Sequence, residues 1–92
     1  MKGSVLMEKE FIVANEQGLH ARPASELVKT ANQFKCEILL TYNGITVDMK
    51  SIMGVLSLGV KRGTTILIST EGEDHIEALR QLQKQLESYN LR

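Results

Sequence analysis

The chain has 92 residues, with 11 basic and 11 acidic side chains, so its formal net charge is zero. A chain of this length forms one domain and buries about 60–65% of the surface of its unfolded state, which leaves little room for a deep substrate cavity. The balanced charge provides no basic surface of the kind that binds nucleic acid. We therefore expect a single domain whose chemistry lies at its surface.

The single cysteine, Cys36, excludes an internal disulfide and suits a cytoplasmic location. The longest largely apolar stretch, residues 52–60, is far shorter than the about 20 residues of a membrane-spanning helix, so no membrane insertion is expected. The two histidines and the cysteine lack the spacing of a metal site, and we expect neither a metal nor a cofactor. Residues 1–6 are interpreted as a short N-terminal extension and residues 7–92 as the single domain.

The first half of the chain predicts a strand followed by a helix. Met7–Ala14 has the alternation of a strand, and a turn follows it. From Ala21 onwards, apolar residues recur at helical spacing. Pro23 fits the first turn of this helix, because the N–H that proline lacks has no partner there. His20 therefore falls at or next to the N-cap.

The middle of the chain predicts a hairpin, a short helix and a further strand. Cys36–Tyr42 and Ile45–Asp48 read as strands, and Asn43-Gly44 between them is typical of a two-residue hairpin turn. The short, glycine-containing segment after Ser51 predicts a helix of one or two turns that Ser51 caps. Thr64–Thr70 is rich in β-branched residues and predicts a strand.

The last element is predicted as a helix over Glu73–Tyr89, with Glu73 and Asp74 in its first turn, where acids suit the helix dipole. Its apolar stripe is predicted to contain Ile76, Leu79, Leu82, Leu86 and Tyr89. The order βαββαβα predicts an α+β fold. We expect an open-faced two-layer sandwich, in which three helices cover one face of a four-stranded, mostly antiparallel sheet.

The segment Gly18-Leu19-His20-Ala21-Arg22-Pro23-Ala24 carries the chemistry. The N–H groups at a helix start form an anion site, and the helix dipole favours negative charge there. Neutral imidazole is a nucleophile, and an arginine fork suits phosphate oxygens. One interpretation of the segment is therefore that His20 accepts a phosphoryl group with help from Arg22. On geometry alone, an ordinary polar cap at His20 is the simpler interpretation.

Two segments resemble motifs of HPr, the histidine-containing phosphocarrier family of the bacterial sugar phosphotransferase system. The segment around His20 is similar to its active-site motif, and Lys50-Ser51-Ile52-Met53-Gly54-Val55-Leu56-Ser57-Leu58-Gly59 is similar to its regulatory-serine motif. Tyr42-Asn43-Gly44 and Glu71-Gly72-Glu73-Asp74 also match in type and place. The resemblance extends from about Met7 to Tyr89, and two long motifs in order make it specific. The family fold is also an open-faced sandwich.

The resemblance implies a phosphocarrier that is not itself an enzyme. His20 would take the phosphoryl group from phosphorylated Enzyme I through Nδ1 and pass it to sugar-specific IIA domains. Arg22 would stabilise the phosphate. Ser51 would be phosphorylated by an ATP-dependent HPr kinase/phosphorylase. A co-regulator role in carbon catabolite repression, with a catabolite-control transcription factor as partner, is a further expectation.

The short helix after Ser51 also carries candidate docking residues. Met53 and Leu56 are three positions apart and fit either a core position or a surface patch; the resemblance favours partner docking at Ile52, Met53 and Leu56. A regulatory paralogue with the same fold remains open, as does a ferredoxin-like binding module. We interpret Cys36 as a core residue, His75 as a solvated side chain, and Lys61-Arg62 as a basic turn rather than a partner patch.

Overall fold

A computed structural model of the protein describes residues 6–90. Its strands and helices follow the predicted order βαββαβα. The elements are β1 (Leu6–Ile12), α1 (Ala21–Ala31), β2 (Glu37–Tyr42), β3 (Ile45–Asp48), α2 (Ile52–Ser57), β4 (Thr65–Glu71) and α3 (His75–Asn90).

The strands form one sheet in the order β1-β4-β2-β3, and every neighbouring pair is antiparallel. The predicted four-stranded sheet with three helices is confirmed. Alternate residues of β2 and β4 are buried, as expected where helices cover one face of an antiparallel sheet. The hairpin turn lies where the sequence predicts it, with Asn43 and Gly44 both at positive φ.

The core lies between the sheet and the helices. Ile38, Leu40, Ile66 and Ile68 from the two central strands are fully buried, together with Leu27 of α1 and Leu82 of α3. Burying one such side chain contributes about 1.5–3 kcal/mol relative to leaving it in water. Cys36 belongs to the same core, which confirms its interpretation as a core residue.

The open face of the sheet is negatively charged. Residues of each strand that alternate with the buried positions point away from the helices. The charged residues at these open-face positions are all acidic: Glu8, Glu10, Glu37, Asp48 and Glu71. Charge is therefore unevenly distributed although the net charge is zero. Among the described residues, no basic side chain lies on the open face of the sheet.

The start of the last helix differs from the prediction. α3 begins at His75, so Glu73 and Asp74 precede its first turn, and Ile76 is 60% exposed rather than part of the apolar stripe. Each three-residue step along a helix falls about 60° short of a full turn, so a stripe centred on its later leucines has turned away from Ile76. Asp74 instead accepts hydrogen bonds from the backbone N–H groups of Lys35 and Cys36, each at 2.9 Å.

The limits of the first strand also shift. β1 begins at Leu6 and ends at Ile12, whereas the prediction ran from Met7 to Ala14. Residues 1–5, the greater part of the predicted extension, lie outside the described residues. Among residues 6–90, no helix combines the length and the hydropathy that crossing a bilayer demands.

Candidate functional site

His20 occupies the N-cap position of α1. Its backbone is extended, with φ −76° and ψ −174°, and its carbonyl oxygen accepts the N–H of Ala24 at 3.0 Å. Its side chain forms no capping hydrogen bond, and the residue is exposed. The imidazole therefore does not serve as the cap in this structure. The N–H groups of Ala21 and Arg22 have no acceptor within the helix, as in any first helical turn.

The loop before His20 is held against the turn that precedes β4. Gly18 has φ +66°, and a Cβ atom there would collide with the carbonyl oxygen of Val60. The same oxygen accepts the N–H of Leu19 at 3.1 Å. Asn15 fixes the other side of the loop, because its carbonyl accepts the Gly18 N–H and its side-chain amide donates to the Gly18 carbonyl. The backbone that presents His20 is therefore anchored on two sides.

The His20 ring lies beside an open hollow of about 320 Å³. Arg22, Glu26 and Tyr89 also line this hollow. Arg22 is exposed and forms no ion pair with any residue of the described range 6–90. The structure thus brings the His20 ring and the Arg22 guanidinium, the two predicted site residues, to one solvent-accessible hollow.

The end of α3 contributes side chains that sequence reasoning missed. The Tyr89 hydroxyl donates to Glu26 Oε1 at 2.7 Å. Asn90 accepts the Ala14 N–H at 3.0 Å and donates to the Ile12 carbonyl at 2.9 Å, which ties α3 to the end of β1. The sequence reveals Tyr89 only as an apolar stripe residue, because its polar partner lies 63 positions away.

Ser51 occupies the predicted N-cap of α2. Its Oγ accepts the N–H of Gly54 at 3.2 Å, which confirms the predicted cap. Asn32, at the end of α1, donates its side-chain amide to the Lys50 carbonyl at 3.0 Å. The start of α2 is therefore fixed directly to the end of α1, the helix that carries His20 at its other end.

The candidate docking residues on α2 divide between surface and core. Met53 is 76% exposed and Leu56 is 38% exposed, whereas Ile52 is half-buried against the core and Val55 is fully buried. Of the two interpretations left open for Met53 and Leu56, the structure matches the surface patch.

The basic turn also lies near the His20 loop. Lys61 and Arg62 are both exposed, and the backbone of Lys61 is packed against Gly18. The turn itself is present as interpreted, with Gly63 at φ +85°. Its closeness to His20 follows from the pairing of Leu19 with Val60, which no local pattern in the sequence reveals.

His75, the other histidine, has different surroundings. It is half-buried, and its Nδ1 lies 2.7 Å from the Gly72 carbonyl oxygen, so Nδ1 carries a proton that it donates. The interpretation of His75 as a solvated side chain is therefore wrong. The turn before α3 brings this ring back onto the backbone, whereas the His20 ring makes no such contact.

The turn before α3 also perturbs two ionisable groups. The pKa of Asp74 is lowered to about 2, chiefly because the carboxylate accepts the Lys35 N–H. The pKa of the Cys36 thiol is raised to about 11, chiefly by burial and then by its hydrogen bond to Asp74. A thiol with so high a pKa stays protonated at neutral pH, which makes it a poor nucleophile.

Comparison with known proteins gives the same family over nearly the whole chain. A family model described as the PTS HPr component phosphorylation site matches residues 7–88. The structure of HPr-C-His from Thermoanaerobacter tengcongensis is 40% identical, with a TM-score of 0.88 over 94% of this chain and 97% of that one. A phosphocarrier protein HPr from Bacillus anthracis is 42% identical, with a TM-score of 0.83 over 87% and 95%.

A third solved structure is Crh, a catabolite repression protein of Bacillus subtilis. It is 38% identical, with a TM-score of 0.72 over 91% of this chain and 97% of that one. The fold, the family model and these structures agree, so the chain belongs to the HPr family of phosphocarrier proteins of the phosphotransferase system.

Proposed function

We propose that the chain is a cytoplasmic phosphocarrier in which His20 takes a phosphoryl group from phosphorylated Enzyme I and passes it to sugar-specific IIA domains. The observation that carries this proposal is the His20 ring itself, exposed at a helix start beside Arg22, which has no ion pair within residues 6–90. In the first transfer, Nδ1 attacks phosphorus, a P–N bond forms and the bond to the donor breaks. In the second transfer, the acceptor attacks the same phosphorus and the imidazole leaves.

Arg22 and the start of α1 stabilise the charge of the phosphoryl group. Phosphoryl transfer spreads charge over the equatorial oxygens, and fixed cations and N–H groups are what catalyse it. The helix dipole adds about 0.3–1 kcal/mol in favour of an anion at this position. No cofactor is needed, because the donor and the acceptor of the group are both proteins.

The surface residues of α2 are proposed as the docking patch for these partners. Met53 and Leu56 supply exposed apolar area, and Ile52 supports them from its half-buried position. Methionine adapts its shape to different surfaces, which suits a carrier with several partners. A relay also needs small interfaces that separate quickly.

Ser51 is proposed as the regulatory site, with an HPr kinase/phosphorylase as its enzyme. A phosphate there adds about −1.5 to −2 charges at the start of α2, which the helix tolerates but an acidic partner on the same face does not. The likeness to Crh favours a second function, co-regulation of a catabolite-control transcription factor by the phosphoserine form.

The carrier proposal is tested by incubating the protein with Enzyme I and labelled phosphoenolpyruvate. We expect a label that acid removes and base does not, lost in His20→Ala and kept in the matched control His75→Ala. A folded protein that takes no label from an active Enzyme I would contradict the proposal. A regulatory paralogue without the carrier role would give that same negative result.

The proposal for Ser51 is tested with the kinase and ATP. We expect an acid-stable phosphate that Ser51→Ala abolishes. Ser57→Ala is the matched control, because Ser57 is an exposed serine on the same short helix. A phosphate mapped by mass spectrometry to another residue, or none at all, would refute this site.

A further inference from the structure

Arg22 and Glu26 lie one turn apart on α1 and line the same hollow as His20. An arginine and a glutamate four positions apart on an exposed helix face are placed to form an ion pair. Within the described residues, the only ion pair is Arg80 with Glu77, so Arg22 and Glu26 do not pair. The reason is that Glu26 has another partner, on α3.

The partner of the Glu26 carboxylate is the side chain of Tyr89. Its hydroxyl donates to Glu26 Oε1 at 2.7 Å, and the Gln85 side-chain amide donates to the same hydroxyl at 3.3 Å. Because the amide nitrogen can only donate, the phenol oxygen accepts from Gln85 and its own proton goes to Glu26. Tyr89 is only 5% exposed, so the packing of α3 fixes the donor.

We propose that Tyr89 is a positioning residue, which holds Glu26 away from Arg22 and so keeps the guanidinium free for the phosphoryl group on His20. This inference rests on the proposed carrier function of His20. A carboxylate and a phosphoryl group compete for the same arginine fork, because both present oxygens in the matching geometry. A hydrogen bond from a buried hydroxyl to a carboxylate outweighs an exposed ion pair that water and salt screen.

The inference predicts that Tyr89→Phe, but not Glu26→Gln, slows the phosphorylation of His20. Tyr89→Phe keeps the ring and removes the hydroxyl, which releases Glu26 to pair with Arg22. We expect phosphorylation of His20 to slow about 1.5-fold to twofold, the population change that an ion pair of this kind supports. Glu26→Gln removes the competing charge, so its rate should equal or exceed that of the wild type. In the double variant the rate should recover, because no carboxylate is left to be released.

The experiment measures the rate at which Enzyme I and labelled phosphoenolpyruvate phosphorylate the wild type, both single variants and the double variant. Tyr42→Phe is the matched control, since Tyr42 is also a largely buried tyrosine but lies on β2. Its rate should match that of the wild type. The defect of Tyr89→Phe should shrink at high salt, which screens the new ion pair. Crystal structures of Tyr89→Phe should show Arg22 paired with Glu26.

Slowing in Tyr89→Phe together with recovery in the double variant supports the inference. An unchanged rate in Tyr89→Phe would overturn it. Slowing that persists in the double variant would also overturn it, because such slowing would mean that the Tyr89 hydroxyl acts only on the stability of the fold. Failure of the carrier function is distinguishable, since the wild type itself would then take no label. In that case, a Tyr89→Phe crystal structure without the Arg22–Glu26 pair would refute the inference independently.

Discussion

At the scale of single residues, Gly18 is the glycine of residues 6–90 at which an added Cβ would meet the closest contact. Its positive φ disfavours any side chain, and the space that a Cβ would need is taken by the Val60 carbonyl. The loop that presents His20 therefore depends on the absence of a side chain at position 18. The spacing of this glycine from the histidine is visible in the sequence, but the backbone that it meets is not.

Gly18→Ala should destabilise the protein by at least about 2 kcal/mol, because left-handed strain and a backbone collision add together. Gly44→Ala is the matched control, since Gly44 also has positive φ but has nothing within 4 Å of its Cβ position. We expect Gly44→Ala to cost about 1 kcal/mol, from the left-handed conformation alone. Urea unfolding measures both values, and equal losses would contradict the role of the Val60 contact.

Asp74 should make stability depend on acid pH. Its folded-state pKa of about 2 lies below the ordinary value of 3.8. Its contribution to stability is therefore complete above about pH 4 and is lost as the pH falls from about 4 to about 2. Asp74→Asn should lower the melting temperature at neutral pH and flatten its decline over that acid range.

Thermal unfolding at a series of pH values provides the measurement for Asp74. Glu73→Gln is the control, because Glu73 precedes it, is exposed and makes no such bonds to the loop after α1. It should leave the melting temperature at neutral pH unchanged. An Asp74→Asn curve that runs parallel to the wild-type curve between pH 4 and 2 would contradict the assignment.

At the scale of elements, α2 combines a buried anchor with an exposed surface within six residues. Val55 fixes the helix in the core, Ser51 caps its start, and Met53 is left in solvent. A helix this short owes its stability to packing and capping rather than to its length. The exposed side of α2 is therefore available to a partner, because the fold depends on its buried side.

Met53→Ala should slow phosphoryl transfer from Enzyme I by about tenfold, the effect of losing about 1–2 kcal/mol of apolar contact in an interface. The melting temperature should stay unchanged, because the side chain is 76% exposed. Ile76→Ala is the control, as another exposed apolar residue, 60% exposed, on α3. A Met53→Ala rate equal to that of the wild type would remove Met53 from the docking patch.

Element type was predictable where a local period carries the information. The alternation in β2 and β4, the apolar stripe of α1 and the Asn43-Gly44 turn all lie where the sequence predicts them. The start of α3 was not predictable, because the Asp74 carboxylate accepts a hydrogen bond from the backbone of Lys35, 39 positions earlier in the chain. The bond between Tyr89 and Glu26 was hidden for the same reason, since helical periodicity reports burial and not polar partners.

At the scale of the whole molecule, one face of the fold is acidic although the net charge of the chain is zero. The open face of the sheet carries only acids among its charged residues, whereas Arg22 and the turn of Lys61 and Arg62 lie at the His20 end of the helices. For the proposed carrier, such a distribution would orient an acidic partner towards His20 and away from the sheet. A phosphate on Ser51 would weaken that attraction locally, without a change of fold.

The central claim is that His20 relays a phosphoryl group, and a single-turnover chase tests it most directly. The protein is labelled through Enzyme I, purified from the donor and mixed with a IIA domain. We expect the label to leave His20 and appear on the IIA domain, with no transfer from His20→Ala. A label that forms on another residue, or one that stays on His20 in the presence of an active IIA domain, would contradict the claim.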